Sequence, residues 1–199
     1  MSVVVLNVLE RKMYADTVVS YGHIDAAQYK KVRHYQTAGY NILLGGVGTP
    51  EALDIMCAAA LSQIETMAEF GAMPGERPSI TSFKEAEEFL SIRDMINNVY
   101  EKVKMPSDVL VMAQHIETDK VFVGVMNDSA LIQWDVDPLC GDDCLVIGSA
   151  EIIAAWNACR LYPLEGRLKT IRNTVQYLKS PNKFTVTDIY GDTQTIIEH

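Results

Sequence analysis

Cysteine is scarce in this sequence, and its few cysteines do not form a recognisable framework. The 199 residues contain four, at Cys57, Cys140, Cys144 and Cys159. Their uneven spacing argues against a disulfide-stabilised fold, so reduced thiols are expected. Cys140 and Cys144 are not at the two-residue spacing of a zinc knuckle, and no histidine lies beside them. We therefore predict no metal site in this segment.

Long apolar runs and an excess of positive charge are also missing. No apolar run approaches the roughly 20 residues that a membrane helix needs, and the N-terminus lacks the basic stretch and cleavage site of a signal peptide. The 26 acidic and 17 basic side chains give a formal net charge of -9, which argues against nucleic acid or anionic lipid as the main partner. The sequence thus predicts a cytoplasmic protein with no nucleic-acid or membrane partner, in a single domain over residues 1–199.

The N-terminal segment, MSVVVLNV, has a pattern that could serve chemistry. The run from Val3 to Val8 is almost wholly apolar, which is typical of a strand buried on both faces. An initiator methionine before serine is normally removed. We therefore expect the mature chain to begin at Ser2, whose hydroxyl would then lie beside a free α-amine.

Further strands are predicted in the first quarter of the chain. After a short polar turn, residues 13–22 predict a second strand, whose antiparallel pairing brings Asp16 back close to Ser2 and Val3. Residues 31–35 and 40–46 predict a hairpin around a turn at 36–39. This turn places Lys31 opposite Leu44, one residue from Gly45.

Two long helices are predicted next. The first begins at the N-cap Thr49 and ends at Gly71, with apolar residues at helical spacing between them. Ser82 and Glu85 form a capping-box pattern that begins a second helix, which continues to about Val103.

The rest of the chain alternates groups of strands with a pair of helices. Strands are predicted at 109–114, 120–126, 130–136 and 143–149, helices at 150–161 and 165–179, and a closing hairpin at 183–199. Grouped rather than alternating strands and helices indicate an α+β domain. Two stacked sheets with a helix pair on each outside would make a four-layer αββα sandwich.

Several blocks resemble the proteasome β-type subunits and above all the bacterial HslV-type peptidases. The blocks are ADTVVSYG, KKVRHY, ILLGGVGTPEALDI, VLVMA and LVIGSAEIIAAWNACR, and their order covers nearly the whole chain. The resemblance implies the N-terminal nucleophile hydrolase fold, assembly into rings and cleavage of peptide bonds without a cofactor. It also implies peptide or unfolded protein as substrate and leaves open an ATPase partner.

Chemistry and resemblance together indicate roles for three residues. A hydroxyl needs a base within hydrogen-bond reach, and an α-amine, with a reference pKa of about 7.7 to 8.0, is a base that Ser2 would carry itself. The resemblance implies that Lys31 tunes this nucleophile and keeps the amine unprotonated by charge repulsion, while Asp16 holds the Lys31 ammonium.

The resemblance also implies supporting roles at two turns. Gly45 and Gly46, with Gly48 as a further candidate, would offer a backbone N–H to the oxyanion, and Ser149 would support the N-terminus. The chain departs from the family pattern in having Ser2 rather than threonine, and Ala150 where glycine is frequent.

Each residue also has a structural interpretation. Ser2 could simply follow the initiator methionine, Asp16 could end a strand, Lys31 could lie at a solvated edge, and Ser149 could cap the next helix. Three functions therefore stay open: a self-assembling peptidase, a catalytically inactive ring protein of the same fold, and an amidase acting on a small amide.

Overall fold

The structure is a computed structural model that describes residues 2–21, 24–76, 80–82, 84–91, 94, 98, 107–127, 131–134, 143–178 and 183–196. Its strands are β1 (Val3–Asn7), β2 (Lys12–Asp16), β3 (Val18–Tyr21), β4 (Ile24–Gln28), β5 (Val32–Gln36), β6 (Tyr40–Val47), β7 (Asp108–His115), β8 (Val121–Met126), β9 (Gln133–Trp134), β10 (Cys144–Gly148), β11 (Phe184–Asp188) and β12 (Thr193–Ile196). Its helices are α1 (Pro50–Glu69), α2 (Ala150–Ala158) and α3 (Leu164–Leu178).

Two antiparallel five-stranded sheets organise these elements in an α+β fold. The β1 sheet has the order β10-β1-β2-β11-β12, and the β6 sheet has the order β5-β6-β7-β8-β9. Strands β3 and β4 form a separate two-stranded sheet. The strands predicted at 109–114, 120–126 and 143–149 are confirmed within one or two residues, and the closing hairpin is confirmed up to Ile196, beyond which it lies outside the described residues. Of the strand predicted at 130–136 the structure describes residues 131–134, and Gln133–Trp134 form β9.

The first strand is buried on both faces, as its apolar run predicts. All five residues of β1 are buried, because β10 and β2 flank it and both of its faces are covered. Val3 and Val5 face α2 and α3, while Val4 and Leu6 face the β6 sheet. The alternation of side chains along a strand thus places apolar residues in two separate cores.

Three apolar clusters pack against the faces of the two sheets. The β1 and β6 sheets share a cluster that includes Val4, Leu6, Met13, Leu43, Leu110 and Met112. Helix α1 packs on the opposite face of the β6 sheet through Leu53, Met56 and Ile64. Helices α2 and α3 pack on the opposite face of the β1 sheet through Ile152, Trp156 and Ile171.

The predicted second strand proved wrong in its length, because the chain leaves the β1 sheet at Thr17. The Thr17 N–H makes the last bond of the β2–β11 ladder, to the Lys183 carbonyl oxygen, whereas the Thr17 carbonyl oxygen accepts from Tyr29 N–H instead of continuing the ladder. Strand β2 therefore ends at Asp16, and the following residues pair with β4, which the sequence pattern did not predict.

The predicted register of the next hairpin also proved wrong, by two residues. The turn is the pair Ala38–Gly39 rather than residues 36–39, because Thr37 N–H donates to the Tyr40 carbonyl oxygen and Thr37 Oγ1 accepts from Tyr40 N–H. Two-residue turns suit the twist of antiparallel strands. Consequently Val32 pairs with Gly45, and Lys31 lies opposite Gly46 rather than Leu44.

The helix predictions agree with the structure where it describes them. Thr49 is the N-cap of α1, with Thr49 Oγ1 accepting from Ala52 N–H at 3.3 Å. Residues 84–91 are helical, and the Ser82–Glu85 capping box forms through Glu85 N–H to Ser82 Oγ and Ser82 N–H to Glu85 Oε2. About half of the second predicted helix lies outside the described residues. Of the helices described, none is both long and apolar enough to cross a membrane.

Candidate active site

Three strand ends bring Ser2, Asp16 and Lys31 together. Ser2 precedes β1, Asp16 ends β2, and Lys31 precedes β5. Lys31 Nζ donates to Ser2 Oγ at 2.9 Å and to Asp16 Oδ2 at 2.5 Å. Asp16 Oδ1 accepts from the Val3 backbone N–H at 2.8 Å. The aspartate therefore fixes the lysine and the backbone beside Ser2 at the same time.

The Asp16–Lys31 ion pair is deeply buried. The side chain of Asp16 is 0% exposed and that of Lys31 is 1% exposed. Burying two charges is costly unless their geometry is good and their remaining hydrogen-bonding groups are satisfied. Both carboxylate oxygens of Asp16 are used, and Lys31 directs a further hydrogen bond to Ser2 Oγ. The arrangement places a fixed ammonium against a serine hydroxyl.

The junction between β10 and α2 holds the Ser2 backbone. Ser149 N–H donates to the Ser2 carbonyl oxygen at 3.2 Å. A Cβ at Gly148 would lie 2.7 Å from that same oxygen, which is closer than a Cβ can approach. The absence of a side chain at Gly148 thus allows the junction to approach Ser2.

Ser149 occupies the N-cap position of α2, but its side chain makes no capping hydrogen bond. Its Oγ is buried and has no partner with hydrogen-bond geometry among the described residues. The nearby Glu151 carboxylate has a lowered pKa, chiefly through its own backbone N–H and next through the Ser149 hydroxyl. The capping interpretation of the Ser149 side chain is therefore not what the structure shows.

The three candidate glycines at the end of β6 and just after it differ in their surroundings. Gly45 faces the core between the sheets, where an added Cβ would lie 2.7 Å from both Met13 Sδ and Val4 Cγ1. The Gly46 N–H is used in the strand ladder, because it donates to the Lys31 carbonyl oxygen at 3.0 Å. Gly48, with a φ of 147°, lines the cleft beside Ser2. Of the three, Gly48 is the one that lines the cleft containing Ser2.

A cleft of about 330 Å³ opens beside Ser2. It is lined by Ser2, Val47, Gly48, Ser107, Asp108, Gly148 and Ser149. Sequence reasoning missed Ser107, Asp108 and Gly148. Gly148 could have been found, because it lies in the block LVIGSAEIIAAWNACR. Ser107 precedes β7 and Asp108 begins it, and the pairing of β7 with β6 is a long-range contact that the sequence does not indicate.

Within the described residues, no group of three or more histidine, cysteine, aspartate or glutamate side chains could hold a metal ion. Cys57 and Cys159 are free thiols, and burial raises the pKa of the Cys57 thiol to about 11. Cys140 lies outside the described residues.

Solved structures with a similar fold are known. Anbu (ancestral beta-subunit) from Yersinia bercovieri superposes with a TM-score of 0.61 over 100% of this chain and 88% of its own, at 10% sequence identity. The helical assembly of the Anbu complex from Pseudomonas aeruginosa gives 0.52 over 100% and 87%, at 13% identity. HslV from Trypanosoma brucei gives 0.50 over 94% and 99%, at 12% identity.

Sequence comparisons add no closer relationship. No protein-family model matches the chain, and no curated protein matches it. Identities of 10% to 13% show a common fold and leave the chemistry open. The chain has the proteasome-like fold that Anbu and HslV share.

Proposed function

We propose that this chain is a self-assembling peptidase that uses Ser2 as an N-terminal nucleophile after removal of Met1. The observation that carries the proposal is the 2.9 Å hydrogen bond from Lys31 Nζ to Ser2 Oγ, with Lys31 held by the buried Asp16. A purely structural ion pair at this depth would be costly to keep, whereas a nucleophile benefits from a fixed neighbouring cation.

The base in this mechanism is the Ser2 α-amine. An amine with a reference pKa of about 7.7 to 8.0 is partly unprotonated near neutral pH, so it can accept the Oγ proton directly or through one water. The Lys31 ammonium stabilises the resulting alkoxide through its hydrogen bond and disfavours a second positive charge on the amine. Asp16 keeps Lys31 charged and pointed at Oγ.

Acyl transfer then proceeds in two steps, acylation of Ser2 and hydrolysis of the resulting ester. Ser2 Oγ attacks the substrate carbonyl carbon, a C–O bond forms, and the scissile C–N bond breaks as the departing amine takes the proton from the Ser2 ammonium. A water molecule next attacks the ester and gives a proton to the α-amine, and Oγ leaves with a proton restored. The oxyanion is stabilised by a backbone N–H, for which Gly48 is the candidate that lines the cleft.

The sequence-derived candidates Gly45 and Gly46 take structural roles in this proposal. Gly45 allows the two sheets to approach, and Gly46 N–H bonds the Lys31 carbonyl and so positions Lys31. Ser149 supports the nucleophile through its backbone N–H to the Ser2 carbonyl oxygen.

The proposal extends to architecture and assembly. The stacked sheets, with α1 outside one and α2 and α3 outside the other, support a four-layer αββα sandwich in a single domain over residues 1–199. The Anbu neighbour from Pseudomonas aeruginosa forms a helical assembly, which supports a homo-oligomeric ring or helical assembly for this chain. We infer a cytoplasmic enzyme that takes peptides or unfolded proteins, with an ATPase as a possible partner and no cofactor.

The test identifies the first residue of the purified protein and measures its cleavage of peptides. Mass spectrometry of the purified protein should show a chain that begins at Ser2, and a mixture of fluorogenic peptides should be cleaved. Ser2→Ala should abolish cleavage, while Ser2→Thr keeps the hydroxyl and the amine and should retain it. A reagent that acylates N-terminal hydroxyl nucleophiles should add its mass to the first residue. A retained Met1, with cleavage unaffected by Ser2→Ala, would overturn the proposal.

The two alternatives give different results in the same experiments. An inactive ring protein would assemble, yet neither cleave peptides nor react with the acylating reagent. An amidase would react and would cleave small amides, but its rate would fall as the substrate is extended on either side of the scissile bond. A monomeric mass by light scattering at micromolar concentration would contradict the assembly.

A further inference from the structure

A second cleft, of about 540 Å³, lies between α3 and the face of the β1 sheet that is turned away from the β6 sheet. Its apolar floor comes from three neighbouring strands, through Tyr14 of β2, Phe184 of β11 and Ile196 of β12. Its wall is the first half of α3, where Leu164 and Leu168 lie one turn apart. We call it the α3 cleft. Clefts of this size, with an apolar floor and a few charged groups at the edge, are typical of sites for small ligands.

One end of the α3 cleft is acidic. Glu10, in the β1–β2 turn, accepts from the Tyr14 hydroxyl at 3.2 Å and from Lys12 Nζ at 3.3 Å. Glu165, in the first turn of α3, lines the same cleft. Burial and then Glu10, with a smaller contribution from Glu165, raise the pKa of Tyr14 to about 12, so its hydroxyl remains a donor. Because Lys12 offsets Glu10, the negative charge that a ligand meets here is mainly that of Glu165.

The other end of the cleft is basic. Lys169 and Arg172 lie three residues apart and so share one face of α3. Lys169 is exposed and Arg172 is half-buried. The planar fork of an arginine suits a carboxylate, and a lysine beside it adds a point charge. Glu165 lies one turn before Lys169, but an exposed pair at this spacing is weak enough for the charges of a ligand to replace it.

The distance between the two ends limits the length of a ligand that contacts both. From Glu165 to Arg172 the helix rises about 10 Å, at about 1.5 Å per residue. An extended peptide advances about 3.3 to 3.6 Å per residue, so about three residues span the same distance between their terminal charges. A fatty acid of this length has a carboxylate at one end only. Its apolar end would lie beside Glu165 and would remove water from that carboxylate without replacing it by a partner.

We propose that the α3 cleft binds a short apolar peptide, about three residues long, whose two termini are free. Its ammonium lies at Glu165, its carboxylate lies at Arg172 and Lys169, and its side chains pack on the aromatic and aliphatic floor. Short peptides are what the proposed function would release as products, but the binding itself does not depend on turnover.

The experiment measures binding without cleavage. The full chain carrying Ser2→Ala is titrated with the tripeptide trileucine, and saturation-transfer NMR gives the dissociation constant. We expect acetylation of the peptide amine, or amidation of its carboxylate, to weaken binding by about 3- to 5-fold each. Octanoate, an apolar carboxylate that has no amine, should bind more weakly than trileucine. Equal binding by the free and the end-blocked peptides, or by octanoate, would overturn the inference.

Variants locate the two ends of the peptide. Glu165→Gln should weaken trileucine binding by about 3- to 5-fold, and acetylation of the amine should then cost nothing more. Arg172→Gln should have the same relationship to amidation of the carboxylate. Urea unfolding checks that this variant of a half-buried residue is folded, and Lys169→Gln, at an exposed position, tests the same end if it is not. A cost of acetylation that persists in full in Glu165→Gln would contradict the proposed orientation and the site with it.

Glu151→Gln and Arg160→Gln are the matched controls. Glu151, like Glu165, is an exposed residue in the first turn of a helix, and Arg160 is exposed just after the end of α2. Neither residue lines the α3 cleft. We expect both variants to bind trileucine as tightly as the parent Ser2→Ala protein. Losses equal to those of the cleft variants would mean that net charge rather than the cleft determines binding, and the inference would fail.

Cleavage is measured separately, on the protein that keeps Ser2. If this protein cleaves no peptide and the Ser2→Ala protein binds trileucine as expected, the proposed function fails and the α3 cleft stands as a peptide site. If peptides are cleaved but the cleft variants leave trileucine binding unchanged, the inference fails and the peptidase proposal stands.

Discussion

Gly148 lies where a Cβ would approach the Ser2 carbonyl oxygen to 2.7 Å. The next residue, Ser149, donates its N–H to that oxygen, so the β10–α2 junction is in direct backbone contact with the residue that precedes β1. The position of Ser2 therefore depends on a glycine about 150 residues away in sequence, as well as on the hydroxyl's own neighbours.

Replacing Gly148 by alanine should move the Ser2 backbone. Relieving the close contact requires a shift of backbone rather than of a flexible side chain, so we expect about 1 to 3 kcal/mol of destabilisation in urea unfolding. Peptide cleavage should fall by on the order of 100-fold, as expected when a reacting group is displaced by about 1 Å. Gly39→Ala is the control, because a Cβ there would meet nothing within 4 Å. Full cleavage by Gly148→Ala would contradict this account.

Removing Lys31 should affect stability and chemistry together. Lys31→Met leaves the carboxylate of Asp16 buried without its cation, which should cost about 3 to 5 kcal/mol of unfolding free energy. The double variant Asp16→Asn with Lys31→Met removes both charges, and we expect it to regain much of that stability. Cleavage should be absent from both variants. A double variant that cleaves peptides would show that the ion pair serves structure alone.

The cap of α1 offers a test of local stability. Thr49 Oγ1 accepts from Ala52 N–H, so Thr49→Ala should lower the unfolding free energy by about 1 kcal/mol. Thr49→Ser keeps the hydroxyl and should be close to the unchanged protein. Thermal unfolding of the two variants checks the difference, and equal midpoints would argue that water replaces the cap at no cost.

Local chemistry explains which features could be predicted from the sequence. The helix limits at Thr49 and Gly71 follow from a capping hydroxyl and from a glycine with a φ of 67°. The approach of Asp16 to Val3 follows from a short turn between two antiparallel strands, because a short turn leaves few possible registers. These features depend on residues close together in the chain.

The two features that were missed have different causes, a partner elsewhere in the chain for β2 and a local turn for the hairpin of β5 and β6. Strand β2 ends at Asp16 because the Thr17 carbonyl oxygen accepts from Tyr29 N–H, and no local pattern near Thr17 indicates that contact. The register of β5 and β6 shifted because Thr37 closes a two-residue turn with Tyr40. The shift placed Gly46, rather than Leu44, opposite Lys31.

The ion pair between Arg11 and Asp119 predicts a specific pH dependence of stability. Arg11 Nη1 and Nη2 donate to the two carboxylate oxygens of Asp119 at 2.7 and 2.8 Å, and this joins the β1–β2 turn to the β7–β8 turn. The Arg11 hydrogen bonds, followed by that from Gln114, lower the pKa of Asp119 to about 2. Because this pKa is below the value of about 3.9 in the unfolded chain, the pair stabilises the fold fully above about pH 4 and loses its effect as the pH falls toward about 2.

Asp119→Asn isolates this effect, since asparagine tolerates the φ of 59° at that position and the backbone cost stays similar. The difference in urea midpoint between the unchanged protein and the variant should be constant above about pH 5 and should shrink as the pH falls from about 4 toward about 2. High salt should reduce the difference at neutral pH, because both side chains are partly exposed. Glu117→Gln removes a charge from the same turn and serves as the control. A difference for Asp119→Asn that persists unchanged at the lowest pH would mean that the pair contributes through packing rather than charge.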